Sequence, residues 1–309
     1  MTAVVVPDDR RAPSVRPTAR LACKRGCAPM SIRSFSKMHG LGNDFIVLNA
    51  LQQPFDWPRA RISALADRHS GIGFDQLLII EPAPDAAHDY AYRIYNADGS
   101  EVEHCGNGAR CFGKYLRDHS LHPLDRPLRV AVKRGSITIA YVGAGEDGSE
   151  QYRVDMGEPD FTPFTAAQTE RLYQPVSAAG HELQMGIVSM GNPHTVCVVE
   201  DVASAPVAEV GSALQQHPLF PAAVNAGFMQ IRDRAHIRLR VYERGAGETQ
   251  ACGTGACAAV AVGIARGLLD ETVTVELPRG TLIINWAGAG KPLYMTGPAA
   301  TVYHGELAA

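Results

Sequence analysis

No charge of one sign dominates this chain: 29 Lys and Arg stand against 32 Asp and Glu, a formal net charge of -3. That balance offers no basic field to nucleic acid and no polybasic stretch to an anionic membrane surface. Long hydrophobic runs are also missing, and no uninterrupted apolar segment approaches the ~20 residues a membrane span requires. Cysteine is too scarce for a disulfide framework, since seven in 309 residues is an odd count in a chain of this length. Zinc spacing is absent: Cys23 and Cys27 have no Cys/His pair after them, and the other cysteines are scattered. These absences leave a small polar or charged molecule as the expected substrate, with no metal, in a reducing, cytoplasmic setting.

What remains is ordinary globular composition, with 46% hydrophobic and 20% charged residues. At about 150 residues per domain, the length points to two domains. The first thirty residues differ from the rest. Their charged residues are mostly Arg or Lys, prolines interrupt them, and they lack the apolar core of a secretory signal. They read as a disordered tail or as a start placed too far upstream, because Met30 precedes the first structured-looking segment; an organellar transit peptide is a lesser alternative.

The chain then repeats itself. Y-N-A-D-G-S-E-V-E-H-C-G-N-G-A, from Tyr95 to Ala109, aligns without a gap on Y-E-R-G-A-G-E-T-Q-A-C-G-T-G-A, from Tyr242 to Ala256. The copies share the Tyr, a Glu (Glu101 and Glu248) and C-G-x-G-A. Upstream, G-N-D-F-I-V-L at Gly42–Leu48 resembles G-N-P-H-T-V-C-V-V at Gly191–Val199, at nearly the same distance from each cysteine. An internal repeat of this kind indicates duplication. Between these landmarks run short strand candidates: Leu77–Ile80, Tyr92–Tyr95, Leu128–Lys133, Ser136–Tyr141, Ile237–Tyr242, Thr272–Glu276 and Thr281–Asn285. Both cysteine motifs open helical patterns. After Cys105 the cations Arg110, Lys114 and Arg117 share one face, whereas the run after Cys252 is apolar all round and so predicts a buried helix. The expected architecture is two strand-rich halves, each wrapped on one helix, with the helix starts facing a shared cleft.

A thiol at a helix start lies in the positive end of the dipole, which favours the thiolate over its free value near ~8.5. The glycines let the backbone approach closely, and unpaired N–H groups make an anion site. Two such ends converging could grip one carboxylate while two sulfurs flank the adjacent carbon. That suits removal of a proton from one face and return of one to the other. The α-hydrogen of an amino acid is only weakly acidic, so the charge building on the carboxylate must be stabilised, at about 3–4 kcal/mol for each preorganised donor. No cofactor signature competes, because G-L-G-N-D-F at Gly40 lacks dinucleotide-loop spacing and no phosphate loop appears. Cys111, Cys197 and Cys257 read as buried packing residues. Alone, Asn43 and Asn192 read as turn formers.

K-M-H-G-L-G-N-D-F, N-A-D-G-S-E-x-E-x-C-G-N-G-A-R-C, G-N-P-H and Y-E-R-G-A-G-E-T-x-A-C-G-T-G-A together resemble the diaminopimelate epimerase family, over essentially everything from Ser31 onward. The resemblance implies an α+β fold of two pseudo-symmetric domains, each a β-roll or barrel around a central helix, with the active site between them. It implies a homodimeric, cofactor-independent epimerase acting on LL-diaminopimelate to give meso-diaminopimelate, on the route to lysine and peptidoglycan. By matching position, Cys105 and Cys252 are the acid/base pair, and the backbone of Gly106, Asn107, Gly253 and Thr254 cradles the reacting carboxylate. Asn43, Gln76, Asn96, Asn192, Asn225, Glu243 and Arg244 are the remaining substrate contacts. His194 and Glu243 support catalysis, and Tyr303 matches a dimer-interface tyrosine. Glu243–Arg244, standing where the other copy has Asn96–Ala97, suits a second amino-acid head, since Glu can take an ammonium and Arg a carboxylate. The expected division is 1–30 as tail, 31–150 as the first domain with 298–309 returning to it, and 151–297 as the second. A racemase of the proline racemase type and a thiol redox protein are the competing readings; the latter lacks C-x-x-C spacing.

Overall fold

A computed structural model of the chain describes residues 32–102, 105–123, 125–133, 135–162, 164–165 and 173–308. The expectations for residues 1–30, including Cys23 and Cys27, lie outside them. The first Gly-Asn stretch closes a hairpin. β1 (Ile32–Gly40) and β2 (Asn43–Asn49) run antiparallel around Leu41 and Gly42, at φ 55° and 88°. Two successive positive-φ residues give the turn that matches strand twist. Helix α1 (Arg59–Ala66) then carries the chain to β3 (Gln76–Pro82), parallel to β2, and β4 (Tyr90–Asn96) returns antiparallel. After the short β5 (Glu101–Val102), helix α2 (Gly106–Asp118) crosses to β6 (Leu128–Ala131), parallel to β4. Two antiparallel strands, β7 (Ser136–Ala144) and β8 (Glu150–Asp155), complete this set, and β9 (Tyr173–Ala178) follows.

The same order recurs. β10 (His181–Ser189) and β11 (Pro193–Val198) form the hairpin, and α3 (Val207–Leu214) leads to β12 (Asn225–Asp233), parallel to β11. β13 (His236–Glu243) and β14 (Gly247–Thr249) precede α4 (Gly253–Ala265), which leads to β15 (Thr272–Leu277), parallel to β13. β16 (Gly280–Trp286), β17 (Leu293–Pro298) and β18 (Ala300–Ala308) end the chain. Each repeat places its last strand beside the first strand of the other: β9 pairs with β10, and β18 with β1. β8 and β17 pair directly and join the two sets. The result is two pseudo-symmetric domains, each a strand-rich roll around one central helix.

Alternation along the strands explains the layers. Phe45, Val47, Leu78 and Ile80 face the large core around α2 and α4, while Ile46, Leu48, Leu77 and Ile79 face a smaller core under α1. Strands covered on both faces read as continuous apolar runs. A matching small core under α3 includes Ile187, Cys197, Ala226 and Phe228. The strand candidates fall within β3, β4, β6, β7, β13, β15 and β16, although β6 stops at Ala131. Neither α1 nor α3 is anticipated from the sequence; each has eight residues, and α1 buries only Ile62 and Ala66. Helix α4 is buried along nearly its whole length, as its composition predicts. The three cations of α2 do not stay together: Lys114 and Arg117 pair with Glu150, whereas Arg110 is fully buried and donates from Nε to Pro298 O at 3.0 Å. No helix among the described residues is long and apolar enough to cross a membrane.

Candidate active site

Cys105 and Cys252 occupy equivalent positions as the N-caps of α2 and α4, both in extended conformation. The two helix starts meet. Asn107, second residue of α2, donates from Nδ2 to the carbonyl of Ala251, the neighbour of Cys252, at 3.2 Å. A Cβ on Gly253 would lie 3.0 Å from Asn107 Oδ1 and 3.1 Å from Met295 Sδ, and one on Gly106 would lie 2.5 Å from Met295 Cε. A side chain at either helix start would press on these neighbours, and glycine leaves both backbones bare toward the space between them. Helix geometry leaves the N–H groups of Gly106, Asn107, Gly253 and Thr254 without intrahelical acceptors.

The two thiols have different neighbours. Cys105 Sγ lies 3.7 Å from Asn43 Oδ1, which also accepts from Asn107 Nδ2 at 3.2 Å. Cys252 Sγ lies 3.7 Å from Thr254 Oγ1, to which Asn192 donates from Nδ2 at 3.4 Å. Cys252 also hydrogen-bonds the Glu243 carboxylate, which in turn accepts from the Thr249 hydroxyl. Burial pushes the Cys105 thiol up, although the N–H groups of Gly108 and Asn107 and the charge of Arg110 oppose it. Burial pushes Cys252 up further, and the charge and hydrogen bond of Glu243 add to it. Glu243 is itself raised by burial. The sequence-based expectation of a depressed thiol is therefore corrected: in this state desolvation outweighs the helix-end donors. Cys111, Cys197 and Cys257 are buried and raised by desolvation to about 12, as packing thiols should be.

The ladder explains which other residues gather here. Gln76 pairs in register with both Phe45 and Asn96, and its Nε2 donates to Asn96 Oδ1 at 3.0 Å. In the second repeat, Asn225 pairs with His194, donates to Pro193 O at 3.0 Å and accepts the Arg244 N–H at 3.0 Å. Asn43 and Asn192, Gln76 and Asn225, and Asn96 and Glu243 are thus counterparts at the strand ends around the helix starts. The counterpart of His194 is Phe45. His194 is 1% exposed, its Nε2 lies 3.0 Å from Asn192 Oδ1, and burial, with the nearby Arg244 charge, lowers it to about 3. It therefore brings no positive charge to the thiols near neutral pH. Arg244 is exposed, with Nη1 on Ala222 O at 3.3 Å. Tyr303 lies apart on β18, 44% exposed, its ring edge-on to Phe35. Asn107 Oδ1 and Gln76 Oε1 are buried without a hydrogen-bond partner.

Two neighbours of these residues were not expected from the sequence. Met295 arrives from β17, and no local pattern connects it to the cysteines. Asp75, the residue before Gln76, accepts from Asn43 Nδ2 at 2.9 Å; its place in S-G-I-G-F-D-Q, just ahead of a strand, was the available signal. The shared Glu of the repeat is explained by pairing: Glu101 with Arg93 and Glu248 with Arg240, at the same place in each copy.

Comparison with known proteins agrees with this arrangement. A family profile described as diaminopimelate epimerase matches residues 35–162 and 186–302. A diaminopimelate epimerase from Chromobacterium violaceum is 55% identical over 276 residues, covering 88% of this chain and 98% of that protein. Among solved structures, a hydroxyproline epimerase from Agrobacterium vitis superposes with TM-score 0.67 at 15% identity, over 90% of this chain and 92% of that one. A phenazine biosynthesis protein of the PhzF family from Bacillus anthracis gives TM-score 0.64 at 18% identity, over 90% and 99%. Those two likenesses speak for the fold, which other enzymes share. The duplicated roll, the paired cysteine caps and the extent of the sequence match together mean that the chain belongs to the diaminopimelate epimerase family.

Proposed function

We propose that this chain epimerises LL-diaminopimelate to meso-diaminopimelate without a cofactor, in lysine and peptidoglycan-precursor biosynthesis, with Cys105 and Cys252 as paired base and acid. The observation that carries this is the meeting of two equivalent cysteine-capped helix starts, bridged by Asn107. One sulfur, as thiolate, takes the α-proton from one face of the substrate carbon. The electron pair of that C–H bond moves into the adjacent carboxylate, and the thiol on the other face gives its proton to the carbon. The two sulfurs end with their protonation states exchanged. First-turn N–H groups of α2 and α4 receive the carboxylate charge, each such donor contributing about 3–4 kcal/mol in a site that excludes water. Glu243, through its charge and as acceptor of the Cys252 S–H, favours the protonated form of that thiol, the form that delivers a proton.

Recognition follows from the differences between the copies. Buried acceptors without partners, Gln76 Oε1 and Asn107 Oδ1, suit an ammonium donor. Arg244, absent from the first copy, suits a distal carboxylate. Proline has no second charged head, so a proline racemase reading leaves Arg244 without a purpose. We further read the chain as a cytoplasmic homodimer using the β18 face, where Val302 and Tyr303 are 57% and 44% exposed. Its domains are read as 31–150 with 298–309, and 151–297. The test is turnover of LL-diaminopimelate beside proline and lysine, with no cofactor added. Only diaminopimelate should react, and Cys105→Ala or Cys252→Ala should each lose about 10²–10⁴-fold in rate. An active Cys252→Ala protein, or proline as the better substrate, would overturn the proposal.

A further inference from the structure

The orientation of Asn43 is set from behind. Its Nδ2 donates to Asp75 Oδ2 at 2.9 Å, and the same oxygen accepts the backbone N–H of Asp44 at 3.0 Å. A carboxylate can only accept, so the amide nitrogen of Asn43 must face Asp75 and its oxygen must face Cys105 and Asn107. Asp75 makes two further contacts: the half-exposed Arg68 donates from Nη2 to its Oδ1 at 2.7 Å, and its own N–H donates to Asp44 Oδ1 at 3.0 Å. Arg68 and Lys37 both pair with Asp44, at 2.7 and 2.6 Å. In the second repeat the polarity is reversed. The oxygen of Asn192 lies against His194 Nε2, and its nitrogen donates to the Thr254 hydroxyl beside Cys252. Two residues in matching positions therefore turn opposite ends inward, Asn43 its oxygen to the Cys105 thiol and Asn192 its nitrogen to the Thr254 hydroxyl, and the carboxylate of Asp75 makes the first choice.

We propose that Asp75 is a positioning residue: it fixes the Asn43 amide with its oxygen toward Cys105, so that the two sulfurs meet unlike partners. The inference rests on the reading of Cys105 as a reacting thiol. An acceptor at Sγ engages the S–H and holds Cys105 in its protonated, proton-donating form. Glu243 also feels the charge of Asp75, so the control must keep that charge. Asp75→Asn can offer Asn43 either a donor or an acceptor, and the amide is then free to turn its nitrogen to the sulfur. Arg68→Gln removes the ion pairs and leaves both the Asn43–Asp75 bond and the Asp75 charge in place.

The experiment measures epimerisation of LL-diaminopimelate and, by peptide mapping, iodoacetamide alkylation of Cys105 and Cys252 in the full-length protein and both variants. Asp75→Asn should lower kcat about tenfold while Cys105 alkylates roughly three- to tenfold faster, the scale of one hydrogen bond. Cys252 should stay within about twofold, and Arg68→Gln should stay within about twofold in every measurement. The proposal is overturned if Asp75→Asn changes nothing, if Arg68→Gln matches it, or if both cysteines speed up together as in general loosening. If the unmodified protein fails to turn over diaminopimelate, the fault lies in the proposed reaction, and the alkylation rates still decide the role of Asp75.

Discussion

Two effects compete at the sulfurs of Cys105 and Cys252, and their sizes decide the outcome. A helix start contributes about 0.3–1 kcal/mol, up to ~2 in favourable partly buried sites. Full burial can move a pKa by about 3–5 units, each unit being about 1.36 kcal/mol. Burial wins, and both thiols are raised. The repeated C-G-x-G-A pointed to these cysteines because their helix-start position is local information. Their ionisation depends on chain that folds back from far away, and sequence could not show it. His194 makes the same point: G-N-P-H marks the residue, but only the fold makes it neutral. Its value is lowered from 6.5 to about 3, so below 6.5 the unfolded chain takes up a proton that the folded protein refuses. Its contribution to stability is complete above 6.5 and declines as pH falls toward 3. Thermal melts between pH 8 and 5 should show His194→Gln losing less stability on acidification than the unmodified protein; parallel losses would assign the acid sensitivity to other groups.

At the scale of elements, period and turn chemistry were legible where one rule governs the whole segment. The apolar run of α4 forms the buried helix its composition requires, and the Gly-Asn stretches sit at hairpin turns. Reading failed where packing gives one residue a special place. Arg110 has the spacing of an exposed face and is fully buried, because α2 meets the β17–β18 connection there, where Pro298 O accepts from Nε. Close packing of α4 on its sheet rests on a bare backbone. A Cβ on Gly186 of β10 would lie 2.4 Å from Val262 Cγ1 and 3.3 Å from its Cβ. A β-branched side chain cannot swing away, so helix and strand must part. Gly186→Ala should cost about 1–3 kcal/mol, the usual range for overpacking, read as a lower denaturation midpoint. An unchanged midpoint would mean that α4 shifts freely against the sheet.

The whole molecule is a duplicated unit whose copies agree where the proposed chemistry is symmetric and differ where it is not. The duplication was readable from aligned motifs. The placing of β9 and β18 beside the opposite repeat was not, because strand partners across the chain leave no local mark. That exchange, with the β8–β17 pairing, lets two helix starts from separate domains meet at Asn107 and Ala251. If both cysteines react as proposed, there are two bases, one for each face of a single carbon. Running the reaction from LL-diaminopimelate in heavy water and sampling at low conversion tests this most directly. Solvent deuterium should enter the product well before it enters recovered substrate, because the base that removes a proton is not the acid that delivers one. Equal early labelling of both pools would mean one shared base and would rule out Cys105 and Cys252 as a two-base pair.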